Sequence, residues 1–154
     1  MGISCSCDDG GEFEWMYYSE DCLTLPLRSV RSKRCISCNV LIRPGESAVH
    51  ISRFRSPKSV IEERIHGSEV LLADWHLCSH CGPIFQALTS LNVCVDLGPG
   101  ADSMDECLRQ FYEINPAPHG FQLNVQRLAA EYEASHCARS ARSRMKCNAS
   151  GQIG

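Results

Sequence analysis

Cys35-Ile36-Ser37-Cys38 and Cys78-Ser79-His80-Cys81 are two C-x-x-C pairs separated by 39 residues. Each pair sets two sulfurs on one tight turn, and four converging thiolates satisfy a cation that favours closed tetrahedral coordination at about 2.3 Å. Zinc is the implied ion, with Cys35, Cys38, Cys78 and Cys81 as its ligands. A closed site of this kind has no position left for water. Its metal contributes folding free energy, on the order of 10–16 kcal/mol in small zinc domains, and no Lewis-acid chemistry. Redox use of the same thiols is the rival reading. A redox C-x-x-C normally stands alone after a strand of a βαβ unit, and here there are two pairs.

Other thiols and imidazoles offer weaker patterns. Cys5, Cys7 and Cys94 could form a second metal site, perturbed by irregular spacing, with Cys22 as a further candidate and ordinary free thiols as the plain alternative. Cys107 falls on the apolar face of a predicted helix and reads as core. His76 and His80 flank Cys78, and either could replace a cysteine, because zinc also accepts imidazole. His50, between Val49 and Ile51 on a predicted strand, is expected to face solvent.

The catalytic patterns that such residues could belong to are incomplete. A ββα metal nuclease needs a general-base His followed by a metal-binding Asn and His across a hairpin and helix, yet the segment Pro83 to Leu91 contains no His. The chain also has neither a Gly-x-x-x-x-Gly-Lys loop nor a Gly-x-Ser-x-Gly elbow. The expectation is a non-enzymatic protein.

Local signals predict the elements that must bring the two pairs together. Strands are expected over Phe13 to Tyr18 and Cys22 to Val30, the second at a sheet edge because of Pro26. Arg43-Pro44-Gly45-Glu46 is a turn signal, followed by a strand over Ala48 to Phe54. Residues 55–59 read as a loop, Val60 to Ile65 as either a strand or a helical turn, and Glu69 to Trp75 as a strand. Pro83 suits a first helical position, and Ile84, Phe85, Leu88 and Leu91 recur at helical spacing, so the second pair sits at a helix start. There the amide dipoles also favour thiolate. Ser103 with Glu106 forms a capping box for a helix through Ile114, and a third helix is expected from Gln122 to His136.

The order knuckle, hairpin, strand, knuckle, helix is that of a treble-clef zinc finger. Residues 35–53 (Cys-Ile-Ser-Cys-Asn-Val-Leu-Ile-Arg-Pro-Gly-Glu-Ser-Ala-Val-His-Ile-Ser-Arg) with Trp75-His76-Leu77-Cys78-Ser79-His80-Cys81 resemble small cysteine-rich proteins of bacteriophages and prophages. Cys5 and Cys7 match an N-terminal Cys-x-Cys of those proteins, and Cys94 matches a cysteine after the zinc helix. The resemblance spans roughly residues 3–115 and implies a treble-clef zinc fold and a phage setting, without implying an activity. The insert around 55–68 is longer than in the resembled pattern, and the third helix with its tail lies beyond it.

The fold class expected is therefore α+β: a small zinc-stapled, treble-clef-like hairpin and helix core with two further C-terminal helices. A chain of 154 residues, 44% hydrophobic and 7% aromatic, supports one modest core. The predicted organisation is an acidic segment 1–27 packing on the core, a zinc domain 28–115, a C-terminal helix 116–138 and a disordered basic tail 139–154. The start, Met1 to Cys5, shows neither a basic region nor an apolar run, and eleven cysteines is an odd number. Both point to a reducing cytoplasm, the host's if the protein is phage-encoded, where paired cysteines bind metal more often than they form disulfides. No apolar stretch approaches a membrane span, so no membrane partner is expected.

Charge is distributed in blocks. Residues 1–27 hold six acids and no Lys or Arg, residues 28–64 are net +6, residues 65–126 net −6, and the rest net +3. Two functional readings follow. In the first, the protein is a phage accessory module that binds and modulates a host or phage protein, and a host-defence role falls within it. In the second, it is a nucleic-acid-binding regulator that uses Arg28, Arg31, Lys33, Arg34, Arg53, Arg55 and Lys58. The pI near 6 and the adjoining acidic block favour the first.

Overall fold

A computed structural model describes residues 16–17, 22–98, 100–116 and 123–135. The architecture is mixed α+β. Strands β1 (Met16–Tyr17), β2 (Thr24–Pro26), β3 (Lys33–Arg34), β4 (Leu41–Ile42) and β5 (Ser47–Arg55) precede helix α1 (Val60–His66). Strand β6 (Val70–Leu77), helices α2 (Cys81–Ser90) and α3 (Met104–Ile114), and a helix α4 over 125–135 complete it.

Strand β5 is the centre of an antiparallel sheet, because its backbone is paired on both sides. It takes β6 along one edge, and β2 and β1 one after the other along the opposite edge. Val49 and Ile51 turn inward from β5 to meet Leu77, Ile84, Phe85 and Leu88, which form the core with Met104 and Cys107. Pro26, which has no N–H to donate, lies in edge strand β2 as expected. The register of β5 against β6 slips between Ile51 and Arg53, where β6 carries one more residue than its partner.

The 60–65 segment resolves as a helix. None of its side chains is buried, and Val60, Ile61 and Ile65 are exposed. An isolated helix of this length is marginal in water, so its ends supply the stability. Ser59 Oγ accepts from the Glu62 N–H at 3.2 Å, and the Glu62 carboxylate accepts from the Lys58 N–H and, in bidentate fashion, from Arg55. Gly67, at φ 76°, closes the other end in the left-handed region.

Helix α3 starts where the capping signal placed it: Ser103 Oγ accepts from the Glu106 N–H. Helix α4 is capped by Asn124, whose Oδ1 accepts from the Arg127 N–H, and it buries Ala129 and Tyr132. Its Glu133 Oε1 accepts at 2.6 Å from both the Thr24 N–H and Gln86 Nε2. One carboxylate therefore joins α4 to edge strand β2 and to α2. No helix among the described residues is long and apolar enough to cross a membrane. The predicted tail 139–154, and the segment 1–15, lie outside the described residues.

Candidate metal centre

Cys35 and Cys38 project from the turn between β3 and β4, and the turn's own backbone sets their spacing. The Cys35 N–H donates to Val40 O and the Asn39 N–H to Cys35 O, each at 2.9 Å. Asn39 takes φ 64°, a left-handed conformation that Asn tolerates better than most residues, and this reverses the chain after Cys38. Cys78 ends the run out of β6 and Cys81 opens α2, with the Gly82 N–H donating to Cys78 O at 2.8 Å.

Two further contacts dock one turn on the other. The Ile36 N–H donates to His76 O at 2.9 Å, and the Cys78 N–H points at Cys35 Sγ at 3.4 Å. Gly82 lets the start of α2 approach β5: a Cβ there would stand 2.6 Å from Val49 Cγ2. As a result the four sulfurs of Cys35, Cys38, Cys78 and Cys81 all lie within 4.8 Å of one another, with Cys38 Sγ and Cys78 Sγ 3.7 Å apart. Cys35, Cys78 and Cys81 are buried and Cys38 is exposed.

The group can hold a metal ion. Without a cation the sulfurs compete for charge. The Cys81 thiol, hydrogen-bonded to Cys35, draws the Cys35 thiol down to about 4, and the same contact pushes Cys81 up. Burial pushes Cys38 up as well. Four crowded thiols of this kind share ionisation poorly until a cation neutralises them.

The histidines stand apart from the cluster. His80 pairs instead with Asp105 at 2.9 Å, and the buried His76 meets His50 across the strands with ring centroids 4.7 Å apart. His50 departs from its expected solvent position: its Nε2 is buried and has no hydrogen-bond partner. The cross-strand pairing of His50 with His76 brings the two rings together on the face opposite Val49 and Ile51. Helix α3 braces both turns, a role that no local signal announced. The Met104 N–H donates to Ser37 Oγ in the first turn at 2.8 Å, and Asp105 holds His80 in the second.

Of the second candidate site, Cys5 and Cys7 lie outside the described residues, and Cys94 is disulfide-bonded. Cys22 is buried beneath Gln86, whose Nε2 donates to Cys22 O. Cys107 is buried, as its place on the apolar face of α3 implies.

The seven basic residues of the nucleic-acid reading divide into two groups. Arg53 lies 3.7 Å over the Trp75 ring and donates twice to Ala73 O, and Arg55 is bound to Glu62. Both are spent on holding the β5–β6 hairpin and α1. Arg28, Arg31, Lys33 and Arg34 are exposed around β3, and Lys58 is exposed beside α1. Compared with known families, curated proteins and solved structures, the chain matches none.

Proposed function

We propose that this chain is a zinc-stapled, treble-clef-like binding module, without catalytic activity, that acts by docking on a protein partner. The observation that carries the reading is the convergence of four sulfurs from two turns 39 residues apart. At a zinc–sulfur distance of about 2.3 Å a tetrahedron has sulfur–sulfur edges of about 3.8 Å. The Cys38–Cys78 separation of 3.7 Å fits such an edge. Tetrahedral all-sulfur sites take zinc or iron, and zinc is the redox-silent member of the pair. When bound, it would clamp the β3–β4 turn to the start of α2 and thereby hold the surface in shape.

The resemblance to small cysteine-rich phage proteins supports an accessory role in which that surface modulates a host or phage protein. Metal analysis of purified protein tests the staple: one zinc per chain is expected, and Cys78→Ser should lose it and unfold. Unchanged zinc in that variant would sink the reading. Retention of the same partner from infected-cell extract by both wild-type protein and the metal-free variant would show that the staple does not build the surface.

The nucleic-acid alternative keeps one specific support, the exposed cations around β3. It loses Arg53 and Arg55, which are engaged within the fold. Salt-dependent binding of duplex DNA decides it, since each phosphate contact steepens the slope by about 0.9.

A further inference from the structure

The β3–β4 ribbon presents five cations that the fold does not neutralise. Arg28, Arg31, Lys33, Arg34 and Arg43 are all exposed, and none is in an ion pair among the described residues. Elsewhere Arg55 is matched to Glu62, Arg109 to Glu106 and Glu113, and Arg127 to Glu131, while Lys58 and Arg64 stand exposed with no ion pair among the described residues. What sets the ribbon apart is that no acidic residue falls between Arg28 and Arg43.

Backbone contacts bring Arg28, Arg34 and Arg43 together, while Lys33, paired with Ile42, takes the other face of the ribbon. The Leu27 N–H donates to Glu46 O and the Gly45 N–H to Leu27 O, each at 2.9 Å, so the chain entering Arg28 runs along the turn that follows Arg43. Arg34 is paired in register with Leu41, and its Nη1 donates to Asn39 O at 3.1 Å, which fixes the guanidinium beside the turn. Ile42 points into the core at 1% exposure, so strand alternation turns Leu41 and Arg43 outward.

The cations are interleaved with aliphatic surface. Val30 is 92% exposed, and Val40 and Leu41 are 50% exposed each. A phosphate backbone would neutralise the arginines and leave those side chains in water. A polypeptide that alternates carboxylates with aliphatic residues satisfies both, and arginine is also the cation favoured at protein interfaces. The nearby start of α3, tied to the first cysteine turn through Ser37, carries Asp102 and Asp105, which would repel a continuous polyanion but not a short acidic segment.

We infer that the ribbon formed by β3, β4 and the Arg28–Arg31 approach is the docking face, and that it takes a short acidic and aliphatic segment of a partner protein. This rests on the binding-module reading above and specifies the partner's chemistry.

The test is a selection of short displayed random peptides on zinc-loaded wild-type protein, followed by affinity measurement against an Arg31→Ala/Arg34→Ala/Arg43→Ala variant. Circular dichroism and zinc content check that the variant stays folded. Enriched peptides should combine Asp or Glu with Leu, Ile or Val. Their affinity should fall about tenfold or more in the variant and weaken as salt rises from about 50 to about 300 mM. Leu41→Ser should weaken them too, without changing the salt dependence. Peptides that lack acidic enrichment, or that bind wild type and variant alike, overturn the assignment of the ribbon. If these peptides still require zinc, the module reading survives that loss; if they also bind the unfolded Cys78→Ser chain equally, the module reading falls with it. A DNA oligonucleotide that binds more tightly than every selected peptide, and loses that affinity in the variant, gives the ribbon to nucleic acid instead.

Discussion

Ser37 Oγ accepts a 2.8 Å hydrogen bond from the backbone N–H of Met104. Ser37 sits between Cys35 and Cys38, and Met104 opens a helix 67 residues further along. The first N–H groups of a helix have no partner within it, so the cysteine turn supplies one and the helix in turn fixes the turn. Together with the His80–Asp105 pair, this makes α3 a brace across both turns of the four-cysteine cluster.

Removing that brace should be measurable in two ways. Ser37→Ala leaves the Met104 N–H without its acceptor, at a cost of about 1 kcal/mol or somewhat more. A lower denaturation midpoint is expected for the metal-loaded protein, together with faster transfer of its metal to a chromogenic chelator. Unchanged transfer kinetics would show that α3 does not brace the site.

The second cysteine turn should tolerate no added methyl group at Gly82. A Cβ there would meet Val49 Cγ2 at 2.6 Å, and relief requires moving a core strand or the α2 start. Overpacking of this kind costs about 1–3 kcal/mol. Thermal melts of Gly82→Ala, Val49→Ala and the double variant check it: the double variant should be less destabilised than the sum of the singles.

Helix α4 should depend on one carboxylate. Glu133 accepts from the Thr24 N–H and from Gln86, which is almost fully buried. Glu133→Ala would take the acceptor from the Thr24 N–H and leave Gln86 Nε2 with only Cys22 O and Thr24 Oγ1, costing about 1–3 kcal/mol. Amide exchange in α4 and β2 should accelerate together; acceleration confined to α4 would show that the carboxylate does not join them.

The capped helix α1 carries a pH signature. Arg55, followed by the Lys58 N–H, holds the Glu62 carboxyl down from 4.5 to about 2. The folded value is depressed, so this contribution is complete above the ordinary carboxylate range and is lost as pH falls through it towards 2. An NMR titration of the Glu62 carboxyl carbon should give a midpoint near 2 in wild type and a rise towards the ordinary range in Arg55→Gln. A wild-type midpoint in the ordinary range would refute the pairing.

What the sequence determined by itself was everything carried by neighbouring residues. The C-x-x-C spacing, the Pro44-Gly45 turn and the Ser103 cap are contacts across a few positions, and each stands where local chemistry placed it, while α2 opens at Cys81, two residues before the Pro83 signal. Even the grouping of the four cysteines was legible, because two sulfurs on one turn are a local arrangement and two such turns require each other. The tertiary structure alone decided which residues are left over for a partner. Arg53 and Arg34 look alike in a charge count, yet the β5–β6 register sets Arg53 on Trp75 while Arg34 stays at the surface. His50 likewise left its solvent face because strand pairing set it against His76. Pairings between distant segments depend on the global arrangement of the sheet, and a window of a few residues contains no trace of them.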